Sequence, residues 1–252
     1  MKRILLNGCN GKMGRVITEC VAQREDCRIA AGVDVNTATL ADFPVFASPS
    51  DYPGEVNVII DFSHPSALTP LLTYAVEHGT PAVIATTGLS PEQVEEVKRA
   101  SGHIPVFYSG NMSLGINLLL ELAKKATAVL GDGFDVEIIE KHHNQKIDAP
   151  SGTALMLADA VGETMPQEPR YVYDRHSQRK KREKAEIGIH SVRGGTIVGE
   201  HEVIFAGRDE IVTLSHTALS KEIFATGSVN AALFLSEQQP GLYNMGDLVA
   251  SK

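Results

Sequence analysis

The sequence predicts an α/β chain in two parts: a parallel sheet with helices on both faces, then an α+β unit built on a mixed sheet. Three observations predict it. Apolar strand-like runs alternate with helical periodicity over residues 1–113. That alternation stops near Ser113. Three strand-like runs then follow one another between Glu186 and Thr217. Repeated βα units call for a parallel sheet covered on both faces, whereas consecutive strands belong to an antiparallel or mixed one.

Arg3–Asn7 reads as a buried strand and runs into Gly8-Cys9-Asn10-Gly11-Lys12-Met13-Gly14. Met13, Val16, Ile17, Cys20 and Val21 then recur at helical spacing. Arg28–Val33 is the second strand, ended by Asp34, and Val56–Asp61 is the next. Leu68, Leu71, Leu72 and Ala75 form one helical face, and Pro81–Ala85 is a strand entering Thr86-Thr87-Gly88. Ser90-Pro91-Glu92-Gln93 opens a helix with capping-box spacing and proline in the first turn. Val106–Ser109 is a further strand.

Beyond Ser113, Ile116, Leu119, Leu120, Ala123 and Thr127 mark a long helix. Asp135–Glu140 alternates as a strand, a His-His loop follows, and Leu155, Ala158 and Val161 repeat helically. Ile187–Val192, Thr196–Phe205 and Glu210–His216 are strands separated by Gly-Gly and Gly-Arg-Asp turns. Lys221–Leu235 reads as a helix, followed by a short polar tail.

The 252 residues suit one large domain or two modest ones, and 43% hydrophobic content is ample for a core. A net charge of −8 argues against a general nucleic-acid binder, though not against an acidic substrate, which local charge decides. No apolar run approaches the roughly 18 residues of a membrane span, and the early first strand leaves no room for a signal peptide. Cys9, Cys20 and Cys27 are odd in number and lack metal spacing, which predicts reduced thiols and a cytoplasmic protein. The basic run Arg179-Lys180-Lys181-Arg182 reads as a solvated, mobile loop, the alternative being a substrate-facing or intersubunit role.

Strand, glycine turn and helix at the N-terminus form a dinucleotide fingerprint in a GxxGxxG spacing. Gly8 permits the tight turn, Gly11 lets backbone approach pyrophosphate, and Gly14 allows close helix packing. Asp34, 20 residues after Gly14, would accept from a ribose hydroxyl. The glycines alone fit a tight turn in any α/β protein; strand, helix and carboxylate together favour a dinucleotide. Ligands bind such sheets at the carboxyl ends of the strands. That rule gathers Gly8, Asp34, Phe62-Ser63, Thr86-Thr87 and Ser109-Gly110-Asn111-Met112 at one crevice.

The richest chemistry lies in Lys141-His142-His143-Asn144-Gln145-Lys146-Ile147-Asp148-Ala149-Pro150-Ser151-Gly152-Thr153-Ala154. Imidazoles exchange protons near neutral pH, lysine adds a compact positive charge, and amides at a fresh helix start bind anions. One loop could therefore hold an anionic substrate and protonate it. Adjacent side chains on an extended segment point to opposite sides, so at most one of His142 and His143 faces a given substrate atom. Ser151 caps the helix, which is compatible with anion binding by the Gly152 and Thr153 amides. A metal site is not expected, because no carboxylate or third histidine stands at ligand spacing.

Glu140-x-His142-His143-x-x-Lys146-x-Asp148-Ala149-Pro150-Ser151-Gly152-Thr153-Ala154 resembles the signature of the dihydrodipicolinate reductase family. The resemblance spans nearly the whole chain. It includes Gly8–Gly14, Asp61-Phe62-Ser63, Thr86-Thr87-Gly88, Asn111–Gly115, Glu186–Gly195 and Gly199-Glu200-His201. It implies a Rossmann dinucleotide-binding domain of residues 1–113 and 219–252, and an α+β substrate and tetramerisation domain of residues 114–218. The implied reaction is NAD(P)H-dependent reduction of 4-hydroxy-tetrahydrodipicolinate, a dicarboxylate, on the diaminopimelate route to lysine. Carried over by position, His142 is the proton donor and Lys146 a second donor. His143, Lys146, Ser151, Gly152 and Thr153 would hold substrate. Gly8, Cys9, Asn10, Gly11, Lys12, Met13, Asp34, Ala85, Thr86, Thr87, Ser109, Gly110, Asn111 and Met112 would hold cofactor.

Three departures stand out. The stretch between Asp34 and Val56 is shorter than in many relatives, Ala85 stands where glycine often precedes Thr-Thr, and Val35 follows Asp34 where some relatives place a basic residue for a 2′-phosphate. NADH is therefore expected to serve at least as well as NADPH, in a homotetramer without nucleic-acid or membrane partners. The competing readings are another imine or amino-acid dehydrogenase on the same scaffold, or a nucleotide-sensing protein without turnover. Retention of both His142 and Lys146 argues against the latter.

Overall fold

The computed structural model describes residues 1–251. The chain divides into two compact units, one of Met1–Leu114 with the chain from Lys221 onwards, the other of Gly115–Ser220. The first unit carries strands β1 (Lys2–Asn7), β2 (Cys27–Val33), β3 (Val45–Phe46), β4 (Val58–Asp61), β5 (Ala82–Ile84), β6 (Pro105–Tyr108) and β12 (Gly241–Tyr243). All pair in parallel, in the order β3-β2-β1-β4-β5-β6-β12. The strand order reverses between β1 and β4, which is where such sheets open a ligand crevice.

Alternation of side chains builds two cores from one sheet. Ile4, Leu6, Val58, Ile60 and Val83 pack with α1 (Lys12–Ala22) and α6 (Glu222–Leu235). Leu5, Ile59, Ala82 and Ile84 pack with α2 (Leu68–Glu77) and α3 (Pro91–Ser101). Burial on both faces is why these strands read as unbroken apolar runs. The capping box at α3 forms, with Gln93 N donating to Ser90 Oγ at 3.3 Å and Ser90 N to Gln93 Oε1 at 3.0 Å. The tail, expected to be merely polar, holds β12 and helix α7 (Met245–Ala250). Both β12 and the two-residue β3 carry no periodic signal, because their places are set by pairing at the sheet edges.

In the second unit α4 (Leu114–Leu130) and α5 (Gly152–Gly162) cover one face of a mixed sheet. Its strands are β7 (Asp135–His142), β8 (Arg170–Val172), β9 (Glu186–Arg193), β10 (Gly199–Ala206) and β11 (Ile211–Ala218), ordered β11-β10-β7-β9-β8. β9 runs parallel to β7, whereas β10 is antiparallel to it. The consecutive strands β9 and β10 therefore lie on opposite sides of β7, and the Gly194-Gly195 turn carries the chain across rather than closing a hairpin.

Two further expectations are corrected. β7 extends through His142, so that residue ends a strand rather than opening a loop. The basic run is tied down in part: Arg182 donates to Asp135 and Glu137 at 3.1 Å each and Lys180 to Glu183 at 2.7 Å, with the neighbouring Arg175 donating to Glu186 at 2.8 Å, while Arg179 and Lys181 are exposed. The partners of Arg182 on β7, Asp135 and Glu137, are 47 and 45 residues away in sequence, which is why the run reads as a free loop in isolation.

Candidate active site

At the carboxyl end of β1 the chain turns at Gly8, whose φ of 80° favours glycine. A Cβ at Gly14 would stand 2.2 Å from the Gly8 carbonyl oxygen, so helix α1 approaches the turn only because that position is bare. A cavity of about 480 Å³ opens there, lined among others by Gly8, Gly11, Asp34, Val35, Ser63 and His64. Asp34 Oδ2 accepts from Asn10 N and Oδ1 from Asn36 N, each at 3.0 Å. A bare turn, first-turn amides on α1 and a carboxylate at the cavity wall fit the adenosine and pyrophosphate of a dinucleotide.

Asp61, fully buried, holds this edge together. It accepts from Asn7 Nδ2 at 2.7 Å, Ser63 Oγ at 2.6 Å and Thr86 Oγ1 at 2.7 Å. Burial raises its pKa, and the three donors oppose that rise. Asp61 thereby links the carboxyl ends of β1, β4 and β5. Thr86 is buried, its hydroxyl spent on Asp61 and on the Ser63 amide at 2.9 Å, while Thr87 is exposed. Ala85 and Met112 are buried, Gly110 is exposed, and Ser109 Oγ donates to the Asn111 carbonyl at 3.0 Å. Residues 85–87 and 109–112 follow β5 and β6 at the same sheet edge, outside the cavity lining. Lys12 is exposed beside the turn. Burial, then the Asp34 charge, pushes the Cys9 thiol up to about 11, so it packs as a small neutral residue.

In the second unit the inward positions of β7 run Val136, Ile138, Glu140 and His142. Glu140 is wholly buried, and donors reach both of its oxygens. Oε2 accepts from His142 Nδ1 at 2.6 Å and Arg193 Nη1 at 2.7 Å; Oε1 accepts from Arg193 Nη2 at 2.6 Å and Ser151 N at 3.1 Å. Burial alone would raise the carboxyl; the bonds from Arg193, His142 and Ser191 outweigh it and hold it at about 2. His142 stacks edge-on to His201 with ring centres 5.2 Å apart. His201 contacts Ser151 Oγ at 3.0 Å, and burial, then the His142 charge, pushes its imidazole down to about 4.

Ser151 caps α5, its Oγ accepting from Ala154 N at 3.2 Å. The exposed Gly152 and half-buried Thr153 form the first turn, where helical amides have no intrahelical acceptor. Lys146 pairs with Asp148 at 2.8 Å in the same loop. His143 follows the last residue of β7, half-buried, its carbonyl accepting from Lys146 N at 3.1 Å. Glu140, Arg193 and His201 stand in the motifs of the resemblance but carry no assigned role in the sequence reading. The signal for Glu140 was present: a carboxylate at an inward position of an alternating strand needs buried partners.

The chain matches two family models, dihydrodipicolinate reductase, N-terminus, over residues 2–112, and dihydrodipicolinate reductase, C-terminus, over residues 115–249. It is 53% identical to a 4-hydroxy-tetrahydrodipicolinate reductase of Caldanaerobacter subterraneus subsp. tengcongensis, covering 99% of this chain and 98% of the relative. A Clostridium tetani protein of the same name is 48% identical, covering 100% and 98%. A dipicolinate-bound dihydrodipicolinate reductase from Paenisporosarcina sp. TG-14 superposes with a TM-score of 0.81 at 25% identity over 97% of each chain. A C. glutamicum DAP dehydrogenase, at TM-score 0.60 and 13% identity, covers 100% of this chain and 96% of its own and shares the fold alone. The chain is thus an oxidoreductase that reduces 4-hydroxy-tetrahydrodipicolinate with NAD(P)H, on the diaminopimelate route to lysine. By two matching family models and full-length relatives, it belongs to the dihydrodipicolinate reductase family.

Proposed function

We propose that His142 supplies the proton of this reduction, and that Lys146 with the N-terminus of α5 holds the carboxylates of the substrate. The observation that carries the reading is the His142 ring, fixed through Nδ1 to a buried carboxylate that also accepts from Ser151 N at the capped start of α5. With Nδ1 occupied, Nε2 is the atom that exchanges a proton. The substrate is a cyclic imine; loss of its 4-hydroxyl as water leaves a conjugated system with an electron-poor C4. Bound NAD(P)H supplies the hydride. As C4 is reduced, electron density passes towards the ring nitrogen, and an acid must return one proton. Lys146 and the Gly152 and Thr153 amides offset the carboxylate charge that would oppose this, and oriented donors of this kind contribute several kcal/mol to catalysis.

In this reading the first unit holds the dinucleotide through residues 8–13, Asp34, residues 85–87 and residues 109–112. The second holds substrate and builds the oligomer. Asp34 favours NADH, since its carboxylate would meet a 2′-phosphate as like charge, with Lys12 the counter-charge nearest in the turn. The homotetramer uses the face of the mixed sheet away from α4 and α5, which carries half-buried Ile139 and Ile204 and the 45% exposed Val192. In sequence, the apolar alternation through Ile197, Val203 and Phe205 points to an uncovered face, but Val203 and Phe205 fill the core under α5. Buried, free Cys9 and Cys27 suit a reducing, cytoplasmic setting. Steady-state kinetics of His142→Gln and Lys146→Ala test the assignment.

A further inference from the structure

We propose that Glu140 is a positioning residue, which fixes His142 in its Nδ1–H tautomer and ties that ring to the anion-holding turn of α5 through Ser151. The proposal rests on the reading of His142 as the proton donor and names what makes it one.

A carboxylate presents about four lone-pair directions; His142 Nδ1, both Arg193 terminal nitrogens and Ser151 N take them at 2.6–3.1 Å, and the Ser191 hydroxyl also bears on the carboxylate. With every site taken and no exposed surface, the side chain has no second orientation available. The Arg193 fork supplies a compensating charge and also donates to the Asp148 carbonyl at 2.7 Å, so the loop that carries Lys146 hangs from the same anchor. The register puts these groups in one place: Glu140 lies opposite Ser191 on β9 and His201 on β10, and His142 opposite Arg193.

The other titratable and charged groups around the pair are His201 on β10, His216 facing it on β11, and Lys146 and Asp148 in the loop. His201 meets Ser151 and packs edge-on to His142, but neither it nor His216 gives Nδ1 a partner. Glu140 is therefore the group that decides which His142 nitrogen keeps its proton. A tautomer with hydrogen on Nδ1 leaves Nε2 free to take up a solvent proton and deliver it, whereas the opposite tautomer would set a lone pair against a carboxylate.

Glu140→Gln gives a distinct expectation. The Arg193 fork would claim the one acceptor oxygen of the amide, turning its NH₂ towards His142. Nδ1 would then become an acceptor and the proton would move to Nε2. Imidazole ¹⁵N chemical shifts of the full-length protein at a pH where His142 is neutral read this directly and need no substrate. The expected result is the Nδ1–H tautomer in the parent, the Nε2–H tautomer in Glu140→Gln, and at least a tenfold fall in kcat in that variant.

A parent already in the Nε2–H tautomer, or a folded Glu140→Gln that keeps Nδ1–H, overturns the proposal. If Glu140→Gln does not fold, Glu140→Asp carries the comparison, because it is one methylene too short to reach both His142 and Ser151. A lost tautomer or a KM raised at least threefold supports the anchor; neither change overturns it. If the tautomer behaves as expected but His142→Gln turns over normally, the anchor stands and the proton-donor assignment fails.

Discussion

Asp34 Oδ2 accepts a hydrogen bond from Asn10 N at 3.0 Å, so the carboxylate after β2 is fastened to the glycine turn after β1. The turn and the charge therefore form one wall of the cavity, and a nucleotide seated on the turn as proposed would meet the carboxylate at its ribose. A ribose diol can donate to Asp34; a 2′-phosphate cannot. We expect NADH to be used at least as well as NADPH at fixed ionic strength. Asp34→Ala should lower kcat/KM for NADH about tenfold, near 1.4 kcal/mol, and raise it for NADPH. A parent that prefers NADPH tenfold would show that the carboxylate does not set the choice.

The residues around α5 should divide their effects. His142→Gln is expected to lower kcat by about 10²-fold with little change in KM, the signature of a lost proton transfer. Lys146→Ala should harm both parameters, since charge and donor go together. His143→Ala should mainly raise KM, because His143 lies in the loop that carries Lys146 and is not among the donors to Glu140. Unaltered kinetics in His142→Gln would remove it from the reaction.

Acid should unfold the second unit in two stages. His201 takes a proton at 6.5 when unfolded but only at about 4 when folded. Between those values the unfolded chain binds more protons, so stability falls as pH drops through that window. Glu140 repeats the effect lower down, between 4.5 and about 2, as its bonds to Arg193 and His142 are lost. Urea midpoints measured from pH 7.5 to pH 4 should fall in the parent and flatten in His201→Gln. A parent whose midpoint holds constant over that range would contradict the buried, neutral state of His201.

Much of this was legible in local sequence, and the limits are physical. The Gly8 turn, the Asp34 carboxylate and the Ser151 cap each depend on a few neighbouring residues, and short-range rules capture them. The His142 environment does not. Arg193 reaches Glu140 from 53 residues along the chain, and His201 reaches Ser151 from 50, because β9 and β10 flank β7. Apolar alternation shows that β9 and β10 are strands without saying which neighbour each takes. The edge strand β12 illustrates the same limit, since three residues have no period to detect.

The outer face of the mixed sheet predicts assembly. Sedimentation at micromolar concentration should give a single species near four times 27.1 kDa. Replacing Ile139 and Ile204 together by lysine should shift it to smaller species without unfolding the cores. A clean monomer in the parent would refute the tetramer.

The most direct measurement of the central claim is nicotinamide oxidation by the purified chain with the freshly formed condensation product of aspartate semialdehyde and pyruvate. The account predicts rapid oxidation of NADH or NADPH that requires this cyclic substrate and falls about 10²-fold in His142→Gln. Absence of oxidation with that substrate, beside robust oxidation with a simple keto acid, would contradict it.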